Sequence, residues 1–250
     1  MKLFKKKKNN PVRRRVRASL ALQPDSPFAV RESYKALRTN VMFSLPGAEA
    51  RCIGISSAEP GAGKSTNALN LAIIFAEIGK KVILIDCDMR LPTVANALDV
   101  PDEPGLSNLL AGQNSASEVI RHVQKYGMDV ISAGQVIPDP TSLLASRQMS
   151  ALLQELRKFY DYIFLDFPPI TTVSDALIVS GQLDGYLLVV RHGKTEKRAI
   201  NDMMRSMQLA DARVLGVIYA GTPLAEKRYY GRYHNYGSYY AASADAERKK

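Results

Sequence analysis

The 250 residues, 46% of them hydrophobic, suffice for one substantial core with tails, and the two cysteines, Cys52 and Cys87, lack the paired spacing of a disulfide or metal framework. The net charge of +10 is local: residues 2–17 carry nine lysines and arginines and no acid, so the rest of the chain is close to neutral. No apolar segment follows those charges as in a secretory leader, and no later run approaches the ~18 uncharged apolar residues of a membrane span, so a reducing cytoplasm is the expected setting.

Residues 1–25 read as a basic flexible arm, suited to solvent, nucleic acid or anionic lipid. After Pro27 the spacing of Tyr34, Leu37 and Val41 predicts an amphipathic helix. Short apolar runs then alternate with helical ones. Strands are predicted at 52–57, 81–86, 128–133, 161–166, 185–190 and 214–220, rich in Ile, Val and Leu with little alternation, as when both faces of a parallel sheet are covered. Between the first two, Leu69, Ala72, Ile73 and Ala76 share a helical face that stops at Gly79. Ile200, Met203, Met204 and Met207 repeat that spacing, and such a stripe reads as core. The expected fold is α/β, a doubly wound, mostly parallel sheet of the P-loop NTPase type flanked by helices, spanning 26–225. His122, His192 and His234 are isolated and read as structural or exposed.

Three strand ends carry chemistry. CIGISSAEPGAGKST is strand, turn and helix start; Gly61, Ala62, Gly63, Lys64, Ser65 and Thr66 form the phosphate-binding loop, with Lys64 for the outer phosphates and Ser65 for Mg2+. The first glycine of the usual pattern is Ala58. KVILIDCDMRLP ends a buried strand with Asp86 and Asp88, whose alternation points both carboxylates to one side. DYIFLDFPP delivers Asp166 from another strand end, and Pro168 and Pro169 stop the strand there. Two acids at the end of an apolar strand repel one another; beside a phosphate loop they acquire a use, one for the metal and one for the nucleophile. ATP and Mg2+ are therefore the expected cofactors.

The last feature is YYGRYHNYGSYY, residues 229–240, with half of the twelve tyrosines. Neither a strand nor a helix period collects them, and the intervening Gly, Ser and Asn keep the segment flexible, so 226–250 reads as a tail. Such rings would serve as phosphoacceptors, as stacking platforms for single-stranded bases, or as a sticky low-complexity tail.

Taken in order, SAEPGAGKST, GLSNLLAG, PDPTSLLAS, VVRHGKT and the tyrosine cluster, with the two acidic runs above, resemble the bacterial tyrosine kinases that regulate capsule and exopolysaccharide synthesis, in their stand-alone cytoplasmic form; the likeness runs from about Ser26 to Tyr240. The resemblance implies an ATP-dependent protein-tyrosine kinase that phosphorylates its own tail at Tyr229, Tyr230, Tyr233, Tyr236, Tyr239 and Tyr240. It implies Lys64, Asp86 and Arg90 as catalytic groups, with Ser65, Asp88 and Asp166 around the metal. It implies a homo-oligomeric ring joined through Glu32, Lys35 and Arg38, a membrane-protein activator, and a place at the inner face of the membrane, where the basic arm meets anionic lipid; no nucleic-acid partner is implied. Lys35 stands where the family has arginine, Leu91 where a basic residue often precedes Pro92, and Ala220 where an asparagine often ends the last strand near the adenine. The alternative is a ParA/MinD-like ATPase whose nucleotide cycle controls assembly without phosphotransfer, although Glu59 occupies the neighbourhood of the extra lysine of those proteins. A third, non-enzymatic reading is a nucleotide-sensing adaptor whose tail binds a partner.

Overall fold

The structure, a computed structural model, describes residues 21–47 and 50–222. The described residues up to Ala220 form one compact unit, and Gly221 and Thr222 are set apart from it. The basic stretch 2–17 and the six tail tyrosines lie outside the described residues.

Helix α1 (Phe28–Ser44) leads into β1 (Arg51–Ser57), α2 (Lys64–Ala76) and β2 (Val82–Asp86). Short helices α3 (Val94–Leu98), α4 (Leu106–Leu110) and α5 (Ala116–Val119) precede the hairpin β3 (Ile120–Val123) and β4 (Met128–Ile131). Then come α6 (Pro140–Leu144), α7 (Arg147–Leu156), β5 (Tyr162–Asp166), α8 (Asp175–Ile178), β6 (Gly185–Arg191), α9 (Lys197–Leu209) and β7 (Val214–Ala220). The seven strands order as β3-β4-β2-β5-β1-β6-β7, parallel throughout except for the β3–β4 pair at one edge. The doubly wound sheet is thus as expected, with β3 added: IRHV is too short and polar to register as a buried strand.

Alternate residues of each strand enter two separate cores, which is why the strands lack polar alternation. Ile53, Ile55, Leu84, Phe164 and Val189 pack under α1 and α2, while Cys52, Ile83, Ile85, Leu165 and Leu188 pack under α7 and α9. Helix α2 is buried over nearly its whole length, Asn67 through Phe75, because α1 covers the side turned away from the sheet. In α9, Met203 and Met207 are buried, whereas Met204 projects to solvent and leaves the predicted stripe. Ala21 and Leu22, read as part of the arm, are buried in the α1–α2 core, and Leu22 N–H donates to Asn70 Oδ1 at 2.8 Å, so the chain joins the fold ahead of Ser26.

β1 lies between β5 and β6, and the last two strands in the sequence, β6 and β7, lie on the side away from β2 and β4. The order therefore reverses at β1, which opens a crevice at the C-terminal ends of the strands. Among the described residues no helix is long and apolar enough to cross a membrane.

Candidate active site

The loop from β1 into α2 is built by backbone conformations that side chains disfavour. Gly61 (φ +76°) and Gly63 (φ +100°) sit in the left-handed region, turning the chain so that the N-terminus of the 13-residue α2 opens onto the crevice. Ala58 needs no glycine: it is absent from the left-handed residues, and its methyl is fully buried in the core.

Lys64, the first residue of α2, is nearly buried and held by one acid from the loop after β2 and one from the end of β5. Its Nζ lies 2.8 Å from Asp88 Oδ2 and 3.6 Å from Asp166 Oδ1, and it donates to Ser65 Oγ at 3.2 Å. Burial alone would lower its pKa; the Asp166 and Asp88 charges outweigh that and raise it, so the ammonium form is secured.

The two acids of the second run part company, contrary to the alternation expected for them. β2 ends at Asp86, and beyond it the chain leaves the pleat. Asp86 is fully buried; its Oδ2 accepts the Thr93 and Val94 N–H groups at 3.0 Å each, and its Oδ1 accepts the Asp88 N–H at 3.1 Å. Those three amides pin the loop that presents Asp88, which accepts the Leu91 N–H at 3.0 Å through its second oxygen, Oδ1. Asp86 also pairs in register with Asp166 across β2 and β5. Burial and the Asp166 charge push the Asp86 pKa up, against the amides and Lys64, which pull it down. Burial likewise raises Asp166, with Lys64 the main opposing influence.

Asp166 fits a metal ion. Both of its carboxylate oxygens are buried with no hydrogen-bond partner among the described residues. Ser65, Asp88 and Asp166 supply one hydroxyl and two carboxylates, hard oxygen donors of the number Mg2+ takes from protein when phosphates and waters complete its shell. No group of three or more His, Cys, Asp and Glu residues among the described residues forms a metal cage of protein alone.

A cavity of about 670 Å3 opens at this edge of the sheet, lined by Gly61, Gly63, Lys64, Ser65, Thr66, Asp88 and Arg90. Ala62 instead packs into the α1–α2 core. Four residues to which the sequence reading assigned no individual role contribute here. Arg191, at the end of β6, lines the cavity and donates to Gly61 O at 3.4 Å; its signal was a cation closing a buried strand. Asn67 donates to Gly63 O at 2.8 Å and accepts from Tyr34 OH of α1 at 3.1 Å, bracing the glycine turn from behind. Asp175 and Thr141 hold Arg90. A second cavity, about 310 Å3, lies at the opposite edge of the sheet, where His122 and Tyr160 both bond Asp129.

Of the residues read as an oligomer contact, Glu32 and Lys35 pair within α1 at 2.7 Å, and Arg38 donates to Ile74 O at 2.9 Å. Cys52 and Cys87 are buried free thiols; burial pushes Cys52 up to about 12 and Cys87 well above its ordinary value, so neither is a nucleophile. Ala220, whose carbonyl accepts the His192 N–H at 2.9 Å, ends β7.

A glycine-turned phosphate loop, a lysine clamped by strand-end acids and a metal-competent carboxylate on a doubly wound sheet define a P-loop nucleotide-binding protein. The AAA domain model matches residues 50–212. Tyrosine-protein kinase YwqD of Bacillus subtilis is 38% identical over 202 residues, 81% of this chain and 85% of YwqD. Tyrosine-protein kinase Etk of Escherichia coli is 35% identical over 220 residues, 86% of this chain, which spans 30% of that longer protein. The solved kinase domain of Etk superimposes with a TM-score of 0.76 at 35% identity, covering 78% of this chain and 76% of that one. The septum site-determining protein MinD of Pyrococcus horikoshii, complexed with Mg-ADP, reaches a TM-score of 0.58 at 25% identity, covering 68% and 70%. The chain belongs to the bacterial tyrosine-protein kinases.

Proposed function

We propose that this protein-tyrosine kinase transfers phosphate from Mg-ATP to its own C-terminal cluster, Tyr229 through Tyr240, between subunits, and that it regulates capsular or exopolysaccharide synthesis or export. The observation that carries the reading is the charge set at the head of α2, where Lys64 sits between Asp88 and Asp166 while the Asp166 oxygens accept no hydrogen bond among the described residues. A buried cluster left in that condition favours an added cation and anionic phosphates over the ligand-free state.

In this reading the Gly61–Thr66 amides and Lys64 bind the phosphates, and Ser65, Asp88 and Asp166 hold Mg2+. When bound, the ion neutralises charge developing on the transferred group. Arg90 contributes a second cation at the cavity mouth. Asp86 holds the Asp88 loop and is the candidate to orient the phenol or take its proton; a raised carboxyl pKa narrows the gap to a phenol near ~10. Phosphoryl transfer asks for positioning and charge neutralisation more than for a strong base, so a buried carboxyl suffices. Glu32, Lys35 and Arg38 are the proposed subunit contact in a ring, for which Arg38 must be shared with or released from Ile74 O. A membrane-protein activator and the inner leaflet are the proposed surroundings; each basic residue of 2–17 held near anionic lipid would add roughly 1 kcal/mol.

The likeness to MinD with Mg-ADP supports a second reading, an assembly ATPase. Incubation with Mg-ATP followed by intact-mass measurement separates the two. Successive single-phosphate additions that vanish when all six tail tyrosines become phenylalanine are expected; ADP release without additions favours the ATPase.

A further inference from the structure

We propose that Asp175 and Thr141 are positioning residues for phosphoryl transfer, clamping the Arg90 guanidinium at the mouth of the nucleotide cavity; the assignment rests on the phosphotransfer reading above. Asp175 opens α8 in an apolar surrounding, followed in the core by Ala176 and Val179, and it is fully buried. A carboxylate there is costly unless paired. Its partners come from two distant segments. Arg90 Nε donates to Oδ2 at 3.1 Å, Arg90 Nη2 donates to Oδ1 at 3.3 Å, and Thr141 Oγ1 donates to Oδ1 at 2.6 Å. Thr141 Oγ1 also accepts from Arg90 Nη2 at 3.1 Å. The hydroxyl thus spends its one proton on the acid and its lone pair on the arginine, closing a three-member ring of contacts.

Two guanidinium nitrogens are consumed, and the plane of the fork is fixed; Nη1 has no hydrogen-bond partner among the described residues. Arg90 keeps 37% side-chain exposure while its acid keeps none, so the clamp buries the anchor and leaves the cation open to the cavity that Lys64, Ser65 and Asp88 also line. Arg90 lies two residues beyond Asp88 on the loop pinned by Asp86, so the clamp fixes the far end of a loop whose near end carries the Asp88 carboxylate. A planar cation oriented before the reaction stabilises developing phosphoryl charge without reorganising, and a displacement of about 1 Å is worth about 100-fold in rate.

The test uses the full chain with Mg-ATP and follows phosphotyrosine and ADP in the same reaction, with Mg-ADP affinity measured separately. Thr141→Val, nearly isosteric, should slow both products about 10-fold and Asp175→Asn about 100-fold, with Mg-ADP affinity within about 2-fold of wild type. Thr141→Ser should restore the rate. In an Arg90→Ala background neither substitution should slow turnover further, since residues acting through one group are not additive. Wild-type phosphotyrosine and ADP rates in Thr141→Val and Asp175→Asn, or losses that multiply with Arg90→Ala, would overturn the clamp while leaving the kinase reading intact. Arg90-dependent loss of ADP release in a protein that forms no phosphotyrosine would sustain the clamp and overturn the tail-phosphorylating reading.

Discussion

The two edges of the sheet use charge in opposite ways. At the N-terminal edge Arg157 donates Nη1 to Ala50 O at 3.0 Å and Asp184 Oδ2 at 2.9 Å, and Nη2 to Gln182 O at 3.1 Å. Asp184 Oδ2 also accepts the Cys52 N–H at 2.6 Å, so one ion pair ties α7 to the strand starts of β1 and β6 with its polar groups matched. At the C-terminal edge Lys64 has more acids than it can satisfy, Asp86 and Asp166 stand side by side with raised pKa values, and among the described residues no hydrogen bond reaches Asp166. Matched charge holds a fold together; unmatched buried charge marks where a ligand completes the structure.

Three substitutions sharpen or break that contrast. The largest effect is expected for Lys64→Met, which removes the cation meant for the phosphates and should cut phosphate incorporation by about 1,000-fold or more. The far-ultraviolet dichroism should remain that of the wild type, since the buried acids can take up protons in place of the lost ion pair. Labelling at a normal rate would remove Lys64 from the site.

Asp166→Asn should act in two directions. Transfer should fall about 100-fold through loss of a metal ligand. The ligand-free protein should nonetheless melt about 2–4 °C higher per kcal/mol gained, because the like charge beside the buried Asp86 is gone. Wild type should gain about 2.7 kcal/mol of stability at 100 times the dissociation constant of Mg-ADP, and the variant should gain far less. Scanning calorimetry with and without Mg-ADP reads both; a variant less stable than wild type in the absence of ligand would mean that Asp166 is satisfied after all.

The smallest effect on activity is expected at the other edge. Arg157→Ala should cost about 1–3 kcal/mol in urea unfolding, by stranding Asp184 and two carbonyls, while transfer below the melting range stays at the wild-type rate. A loss of transfer without loss of stability would show that the two edges are coupled.

How much of this was legible in the sequence depends on the range of the interaction. Periodicity marks burial along one element, so six of the seven strands and the helices α1, α2 and α9 were readable from the local pattern of apolar residues; β3, four residues with one buried, was not. The phosphate loop was legible because its geometry is contiguous: Gly61 and Gly63 adopt conformations that glycine tolerates, and Lys64 follows directly. Asp86, Asp88 and Asp166 were nominated by an unusual context, acids closing apolar strands. Their division of labour was not legible, because whether a carboxylate meets loop amides, as Asp86 does, or an ammonium, as Asp88 does, depends on where the backbone leaves the pleat. The clamp on Arg90 joins residues 51 and 85 positions apart, and the brace on Gly63 reaches back to Tyr34 through Asn67. Hydrogen bonds of that kind leave no periodic trace in a single chain; only the packing of α1 on α2, and of α6 and the loops after β2 and β5 on one another, decides them.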